Sequence, residues 1–348
     1  MHVPKISVIM PVFNCEKYLD ESINSILAQS FSNFEFIIIN DGSTDNSLEL
    51  INSFQNKDER IIVINQNRQG ITKSLNNGIQ ICQGEFIVRM DADDIAFDTR
   101  LKQQLDFIDK NPDIDIVGSQ IVVINEKNKI MKEVNNLPLD DTLIKWDLIF
   151  GTPLLHPTLI IRKTIFNKFG IFNDQFAYGQ DLLMWRKIAK NIRFANLPDK
   201  LMKIRHSETS YEVDKLKCQE SIRISTLNQY LKNVCGINFR KIKEKQLNDF
   251  FISGKPVFTH YNNFMRLIMS IRKGFISLNC NNSKITKKIN QRISSLFFRA
   301  FLLNSHSVLS QLMYLTISVA IYPSILFKKK YWWYMKQGLI QTIPLKAN

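Results

Sequence analysis

Several signatures that would identify a protein class at once are missing from this sequence. Its five cysteines include no C-x-x-C pair and no spacing typical of a zinc site. An odd, scattered set of thiols favours a reducing compartment over a disulfide framework. No G-x-G-x-x-G turn and no G-x-x-x-x-G-K-[ST] loop occurs, which argues against dinucleotide-binding and P-loop proteins. The first residues lead directly into an apolar segment, without the pattern of a signal peptide.

Acidic residues are absent from the last part of the chain. After residue 249 there are fourteen Lys and Arg and no Asp or Glu, so this part carries the whole net charge of +14. The residues before it are neutral, with 32 basic and 32 acidic side chains. A basic end on a neutral body needs a local explanation rather than a general affinity for nucleic acid.

The same basic end is rich in apolar residues. Helical patterns are expected at 213–233 and 240–252, and the segments 264–275 and 285–303 mix Lys and Arg with Phe, Ile and Leu, as in helices that lie on an anionic bilayer. Residues 308–327 carry no formal charge and lead into K-K-K-Y-W-W-Y, a flank suited to lipid headgroups. Interfacial attachment is favoured, while a single transmembrane span and a hydrophobic helical hairpin packed on the catalytic domain remain alternatives.

Short apolar segments alternate with helical patterns in the first part of the chain. Strands are predicted at 6–13, 34–39, 61–65 and 85–89, with a helix after each of the first three, the third reaching residue 81. Such alternation predicts a parallel sheet with right-handed crossovers. A hydrophobic content of 45% is ample for its core.

Three aspartates, Asp91, Asp93 and Asp94, follow the fourth predicted strand. Like charges at this spacing repel one another unless a cation compensates them. Oxygen ligands favour Mg²⁺ or Mn²⁺, and open α/β sheets bind ligands at the carboxyl ends of their strands. The alternatives are a solvated acidic turn at the start of a helix and the nucleophile of an aspartyl phosphatase.

Four segments in this order, P-V-F-N-C-E-K-Y-L, N-D-G-S-T-D, M-D-A-D-D and G-Q-D-L-L-M-W, resemble family 2 glycosyltransferases with the GT-A fold. The segments R-M-D-A-D-D-I and L-H-P-T-L-I-I-R-K look like bacterial enzymes that build O-antigen or capsular polysaccharide. The resemblance implies a mostly parallel sheet flanked by helices. It also implies transfer of a hexose (galactose, glucose or an N-acetylhexosamine) from a UDP-sugar to a saccharide on a polyprenyl diphosphate lipid. Inversion at the anomeric carbon would give a β-linkage.

The resemblance also assigns roles to individual residues. Asp91 and Asp93 match the D-x-D pair, with Asp93 on Mn²⁺ or Mg²⁺ and Asp91 on the ribose or the metal. Asp181 is the candidate base for the acceptor hydroxyl. Gln180 stands where the family usually has Glu, which removes a like charge beside Asp181. The residues expected on the nucleotide sugar are Pro11, Phe13, Glu16, Asp41, Lys73, Asp91, Arg205 and His206, and those expected at the acceptor are His156 and Gln180.

Ordinary structural roles compete with several of these assignments. Asp41 suits an Asx turn, Asp181 a helix cap, and Lys73 a solvated helix surface. His156 suits a structural position, and Arg205 with His206 a plain surface loop.

The expected organisation is a catalytic domain at 1–210, a basic amphipathic extension at 211–295 and a membrane-associating segment at 296–348. We expect peripheral attachment to the cytoplasmic face of a bacterial inner membrane. A basic nucleic-acid-binding protein is the second class considered. The sequence has no zinc-finger, RRM or helix-turn-helix signature, and nucleic-acid binding would leave the aspartates unexplained. No nucleic-acid partner is therefore expected.

Overall fold

The computed structural model describes residues 3–176, 178–206, 225–236, 261–279, 282–303 and 316–322. The chain forms two compact units, one of residues 1–144 with 152–219 and one of residues 145–151 with 220–348. Segment 145–151 therefore belongs to the second unit, although it lies within the predicted catalytic domain. The helix predicted at 240–252 and most of 308–327 lie outside the described residues.

The first half of the sheet is parallel, as predicted. Its strands stand in the order β3-β2-β1-β4, and every residue of β2 and β4 is buried. Continuous apolar runs suit such strands because helices cover both faces of a parallel sheet. The strands are β1 (Ile6–Val12), β2 (Phe34–Asp41), β3 (Ile61–Gln66) and β4 (Phe86–Arg89).

Helices cross over between these strands and pack on them. In α1 the apolar residues Leu19, Ile23 and Ile26 recur at helical spacing and are fully buried. Gly78 of α3 allows close packing, because a Cβ there would lie 2.7 Å from Ile9 Cγ2. The helices are α1 (Glu16–Leu27), α2 (Ser47–Gln55), α3 (Ile71–Ile81) and α4 (Arg100–Lys110).

The second half of the sheet mixes strand directions, so the sheet is less parallel than the sequence predicted. Strand β8 pairs antiparallel with β4 and β6, whereas β6 and β9 are parallel. The reason lies in the 3-10 turn His156–Thr158, which contacts β4 and leads into β8, so that β8 runs back along β4. The strands are β5 (Ile95–Ala96), β6 (Ile116–Ile124), β7 (Ile130–Val134), β8 (Ile160–Arg162) and β9 (Phe194–Arg205).

Three further helices are short, and the first of them begins in the first unit and ends in the second. They are α5 (Asp141–Asp147), α6 (Lys163–Phe169) and α7 (Gln180–Ile188). Helix α7 carries Asp181 in its first turn. Its N-cap, Gly179, has φ of 77°, a left-handed conformation that favours glycine.

The second unit is helical in its described parts. Residues 225–235, α8 (Tyr261–Asn279) and α9 (Ser283–Leu303) are helices. Phe275 of α8 packs edge-on against Trp146 at 5.1 Å, and Arg292 of α9 pairs with Asp147 through two contacts of 2.5 Å. No helix in the described residues has the length and apolar character needed to cross a membrane.

Apolar side chains of α8 and α9 are buried within this unit. The buried residues are Ile268, Ile271 and Phe275 of α8 with Ile289, Ile293 and Phe297 of α9. Their lysines stay exposed, namely Lys273, Lys284, Lys287 and Lys288.

Candidate active site

The aspartate cluster lies where the sequence placed it, directly after β4. One carboxylate oxygen from each of Asp91, Asp93 and Asp94 lies within 4.8 Å of the others. Asp94 is buried, and its Oδ2 has no hydrogen-bond partner, while its Oδ1 accepts from the backbone N–H of Arg205 at 2.8 Å. An unpartnered buried oxygen beside two further carboxylates is the donor set that a hard divalent cation takes. The residues present therefore fit Mn²⁺ or Mg²⁺.

The electrostatics of the cluster follow from burial and mutual repulsion. Burial, together with the neighbouring Asp91 charge, raises the pKa of Asp93 to about 6. Burial and the same neighbour hold the pKa of Asp94 well above its usual range. Two of the three carboxylates are therefore poorly stabilised as anions by the protein alone.

Two buried arginines adjoin the cluster. Arg89 pairs with Asp91 through Nη2, while its Nε and Nη1 are buried without a partner. Arg100 donates from Nη2 to the carbonyl of Arg89 at 2.9 Å, and burial lowers the pKa of Arg100 to about 9. Arg89 balances the charge of the cluster by direct contact with Asp91, and Arg100 holds the backbone at the end of β4.

Without metal, we expect the wild-type protein to gain stability as the pH falls from about 7.5 to about 5.5. The folded pKa of Asp93, about 6, is above its unfolded value, so the stability that protonation provides is present at low pH and is lost as the pH rises through about 6. Thermal unfolding in EDTA across this range measures it. Asp93→Asn is neutral throughout and should reduce the dependence, to which Asp94, whose pKa is also raised, still contributes. Parallel profiles for the two proteins would contradict the prediction.

Asp41 shapes the loop that leads into α3. Its Oδ1 accepts from Gln66 Nε2 at 2.7 Å and from the N–H of Gln69 at 2.8 Å, and its Oδ2 accepts from the N–H of Gly70 at 2.8 Å. The carboxylate is buried, and these bonds use three of its four acceptor positions. Asp41 thus fixes this loop, and its bonds reach further along the chain than those of an Asx turn.

A flat pair of side chains lies beside this loop. Pro11 lies in β1, and Phe13 is the first residue after this strand. The guanidinium of Arg68 lies over the Phe13 ring, 4.0 Å from its centroid. Arg68 was not predicted, because the sequence shows only that an arginine precedes Gly70. Lys73 is exposed on the first turn of α3.

Glu16, also predicted to contact the nucleotide, binds the protein itself. Its Oε2 accepts from the N–H of Asn46 at 2.8 Å and from Asn46 Nδ2 at 2.9 Å. Its own N–H donates to Asp45 Oδ2 at 3.1 Å. Glu16 therefore joins the start of α1 to the N-D-G-S-T-D loop, and the side chain is positioned by that loop.

The predicted base, Asp181, lies in the first turn of α7 and is partly exposed. The segment before α7 is fixed to α3, where Thr72 Oγ1 donates to the carbonyl of Phe176 at 2.7 Å. Asn76 and Phe172 exchange two further hydrogen bonds, of 2.8 and 3.1 Å. Gln180 is buried, and its Oε1 has no hydrogen-bond partner. The start of α7 is thus placed by α3, the helix that follows the Asp41 loop.

His156 lies inside the protein, although we expected it to line an acceptor cleft. It is 8% exposed, with the rings of Phe172 at 5.2 Å and Trp185 at 6.4 Å. Burial, with a smaller contribution from Arg89, holds the pKa of His156 well below its usual range, so the imidazole is neutral at physiological pH. The aromatic rings that cover it come from residues far along the chain.

Arg205 and His206 were expected to close over a diphosphate. His206 donates its N–H to the carbonyl of Ile124 at 2.9 Å, which continues the pairing of β9 with β6. The Arg205 guanidinium contacts the aspartate loop itself, donating from Nε to the carbonyl of Asp93 at 2.9 Å. In this structure the Arg205 guanidinium binds protein groups.

Comparison with known proteins decides the family. The model of Glycosyl transferase family 2 matches residues 7–191. The chain belongs to this family. A protein of Haemophilus influenzae described as an uncharacterized glycosyltransferase is 29% identical over 320 residues, which cover 84% of this chain and 99% of that protein. The chain is thus a glycosyltransferase of a bacterial type.

Solved structures confirm the GT-A fold. TarS 1–349 of S. aureus in complex with UDP-GlcNAc aligns with a TM-score of 0.54 at 18% identity, covering 93% of this chain and 92% of that one. Mannosyltransferase PcManGT from Pyrobaculum calidifontis in complex with GDP-Man and Mn²⁺ aligns with a TM-score of 0.51 at 12% identity, covering 97% and 85%. At these identities the likeness concerns the fold.

Proposed function

We propose that this glycosyltransferase is metal-dependent and inverting, and that it moves a hexose from a UDP-sugar to a saccharide on a polyprenyl diphosphate lipid. The observation that carries the proposal is the aspartate cluster at the carboxyl end of β4, with its unpartnered buried oxygen. Family membership argues against the aspartyl phosphatase alternative. The product would be a β-linked galactose, glucose or N-acetylhexosamine in a bacterial surface polysaccharide such as O-antigen.

The donor is proposed from both the site and the comparisons. The stacked pair of Phe13 and Arg68 offers a flat, cationic surface against which a nucleobase can pack. Asp41 fixes the adjoining loop and keeps one acceptor position for the base. TarS, which shares the fold, was solved with UDP-GlcNAc, and this supports a UDP-sugar here.

The metal proposal names the residues that would hold the ion. Asp93 and Asp91 are the proposed ligands, and Asp94 contributes the third oxygen of the cluster. PcManGT was solved with Mn²⁺, which supports Mn²⁺ or Mg²⁺ here. When bound, the metal supplies positive charge against the diphosphate leaving group.

The transfer itself is a single displacement. The acceptor hydroxyl oxygen forms a bond to C1 of the hexose while the bond from C1 to the phosphate oxygen breaks, and UDP leaves with that electron pair. The Asp181 carboxylate takes the hydroxyl proton as the new bond forms. Because attack and departure occur on opposite faces of the ring, the configuration at C1 inverts.

We expect an α-linked UDP-hexose to give a β-linked product. Proton NMR of the purified product distinguishes the two configurations directly. A donor screen scored by UDP release chooses the hexose for this measurement and tests the donor class at the same time. An α-linked product would rule out the single displacement, and turnover of GDP-sugars alone would rule out the proposed donor.

The acceptor proposal places the enzyme at the cytoplasmic face of the bacterial inner membrane. Lys284, Lys287 and Lys288 are exposed on α9, in the part of the chain that has no acidic residue. Each basic residue near an anionic surface contributes about 1 kcal/mol of attraction, so several together support reversible attachment. Attachment there would bring the enzyme to a lipid-linked acceptor.

We expect the full chain to bind vesicles that contain anionic lipid and to be released by high salt, since salt screens surface charge. Replacing Lys284, Lys287 and Lys288 by Gln should weaken vesicle binding severalfold in co-sedimentation. The matched control replaces three exposed lysines of the first unit, Lys57, Lys110 and Lys190, and should bind like wild type. A wild-type protein that ignores anionic vesicles would contradict membrane attachment.

A further inference from the structure

Arg205, the last residue of β9, is bonded to two residues of the aspartate cluster. Its backbone N–H donates to Asp94 Oδ1 at 2.8 Å, and its Nε donates to the carbonyl of Asp93 at 2.9 Å. The first bond fixes the Asp94 side chain and leaves Oδ2 unpartnered. The second holds the backbone of Asp93 and leaves the Asp93 carboxylate for other partners. Both bonds therefore orient the proposed ligands without occupying their ligand atoms.

The far end of the same guanidinium is anchored on two other elements. Nη1 donates to Asn128 Oδ1 at 2.5 Å and to the carbonyl of Asn125 at 3.1 Å, in the turn between β6 and β7. Nη2 donates to Glu21 Oε2 of α1 at 3.1 Å, and Asn128 Nδ2 closes the ring by donating to Glu21 Oε1 at 3.0 Å. The guanidinium also stacks on Tyr18 at 4.2 Å, and the side chain is 1% exposed.

Helix α1 holds the cluster from another direction. Ser22 Oγ donates to the carbonyl of Asp91 at 3.0 Å, and the N–H of Ala96 donates to Ser25 Oγ at 3.1 Å. The loop is thus fixed by α1 at both ends and by Arg205 in its middle. Neither serine bonds to Asp93 or Asp94, so Arg205 has a distinct part in placing these two residues.

We propose that Arg205 is a positioning residue that holds Asp93 and Asp94 in the geometry required for metal binding, through the anchor formed by Glu21 and Asn128. The inference rests on the proposed metal-dependent function. Partners that orient metal ligands from outside the coordination shell typically change metal affinity by about 10- to 100-fold when they are removed. A planar guanidinium bonds in several directions at fixed angles, which an ammonium on a flexible chain does not.

Direct titration of Mn²⁺ into the unliganded protein, by calorimetry or by EPR of the free ion, tests this without measuring activity. Arg205→Gln and Arg205→Lys should both raise the Mn²⁺ Kd by about 10- to 100-fold. A role of charge alone predicts a different pattern, because loss of a nearby cation should tighten Mn²⁺ binding in Arg205→Gln and leave Arg205→Lys unchanged. That pattern would overturn the proposal.

Arg162 provides a matched control within the same sheet. It also holds backbone carbonyls, donating from Nε to Ile114 at 2.9 Å and from Nη2 to Ile108 at 3.0 Å, and it stacks on Phe86 at 5.2 Å. Arg162→Gln should lower the melting temperature and keep the wild-type Mn²⁺ Kd. An equal loss of Mn²⁺ affinity in Arg162→Gln would show general destabilisation and would overturn the positioning role.

Asn128→Gly tests the anchor if the Arg205 variants fail to fold. Asn128 has φ of 60°, which glycine adopts without strain, so the change removes only the side-chain bonds to Arg205 and Glu21. We expect weaker Mn²⁺ binding, with a smaller change than in the Arg205 variants. Wild-type affinity in both Asn128→Gly and Arg205→Lys would overturn this inference alone. If the wild-type protein shows no Mn²⁺ binding that is lost in Asp93→Asn, both the proposed metal dependence and this inference are overturned.

Discussion

Asp93→Asn is expected to reduce transfer by about 10²-fold or more while making the metal-free protein more stable. Loss of a metal ligand removes charge stabilisation worth several kcal/mol in the transition state, and each 1.36 kcal/mol corresponds to a factor of ten in rate. The opposite effect on stability follows from the structure, because Asp93 is one of three mutually repelling carboxylates and burial already raises its pKa to about 6. Initial rates and melting temperatures in EDTA measure the two effects.

The change to Asn leaves the loop intact. Arg205 contacts Asp93 through the backbone carbonyl, and this bond does not depend on the side chain. Asp106→Asn is the matched control, since Asp106 is an exposed aspartate that pairs with Lys102 on α4. It should retain wild-type turnover. EDTA should inactivate the wild-type enzyme, and Mn²⁺ or Mg²⁺ should restore it. Full activity in EDTA, or in Asp93→Asn, would rule out the metal role.

The parallel half of the sheet was predictable because its signals are local. Apolar runs such as the segment in β2 and the helical spacing of Leu19, Ile23 and Ile26 lie within a few residues of one another. The aspartate cluster was predictable for a related reason, since its three ligands are contiguous and directly follow a strand. The family resemblance supplied the fold that joins these segments.

The contacts that place the other side chains were not predictable from local patterns. Arg205 and Glu21 are 184 positions apart in the chain, and Asn76 and Phe172 are 96 apart. Nothing near His156 in the sequence shows that Phe172 and Trp185 enclose it. Strand β8 was missed for a similar reason, because its direction depends on where the preceding turn meets β4.

Asp181→Asn is expected to lower turnover by about 10²-fold or more with little change in donor affinity. A general base acts on the proton in the transition state and typically contributes 10²- to 10⁴-fold, whereas donor binding in the ground state does not require it. Asn has nearly the shape of Asp and should keep the start of α7, whose position depends on Gly179 and on the bonds from Thr72 and Asn76 to the preceding segment.

The decisive measurement compares turnover with the Kd for the UDP-sugar, measured by titration calorimetry in the presence of Mn²⁺. Asp174→Asn is the matched control, an exposed aspartate in the segment before α7, and it should behave as wild type in both. Because Gln180 is neutral, the neighbouring position adds no charge that could take over as base. Residual activity in Asp181→Asn should therefore stay low across the pH range. A collapse of donor affinity with turnover preserved at saturating donor would make Asp181 a binding residue, and the base would then have to be sought elsewhere.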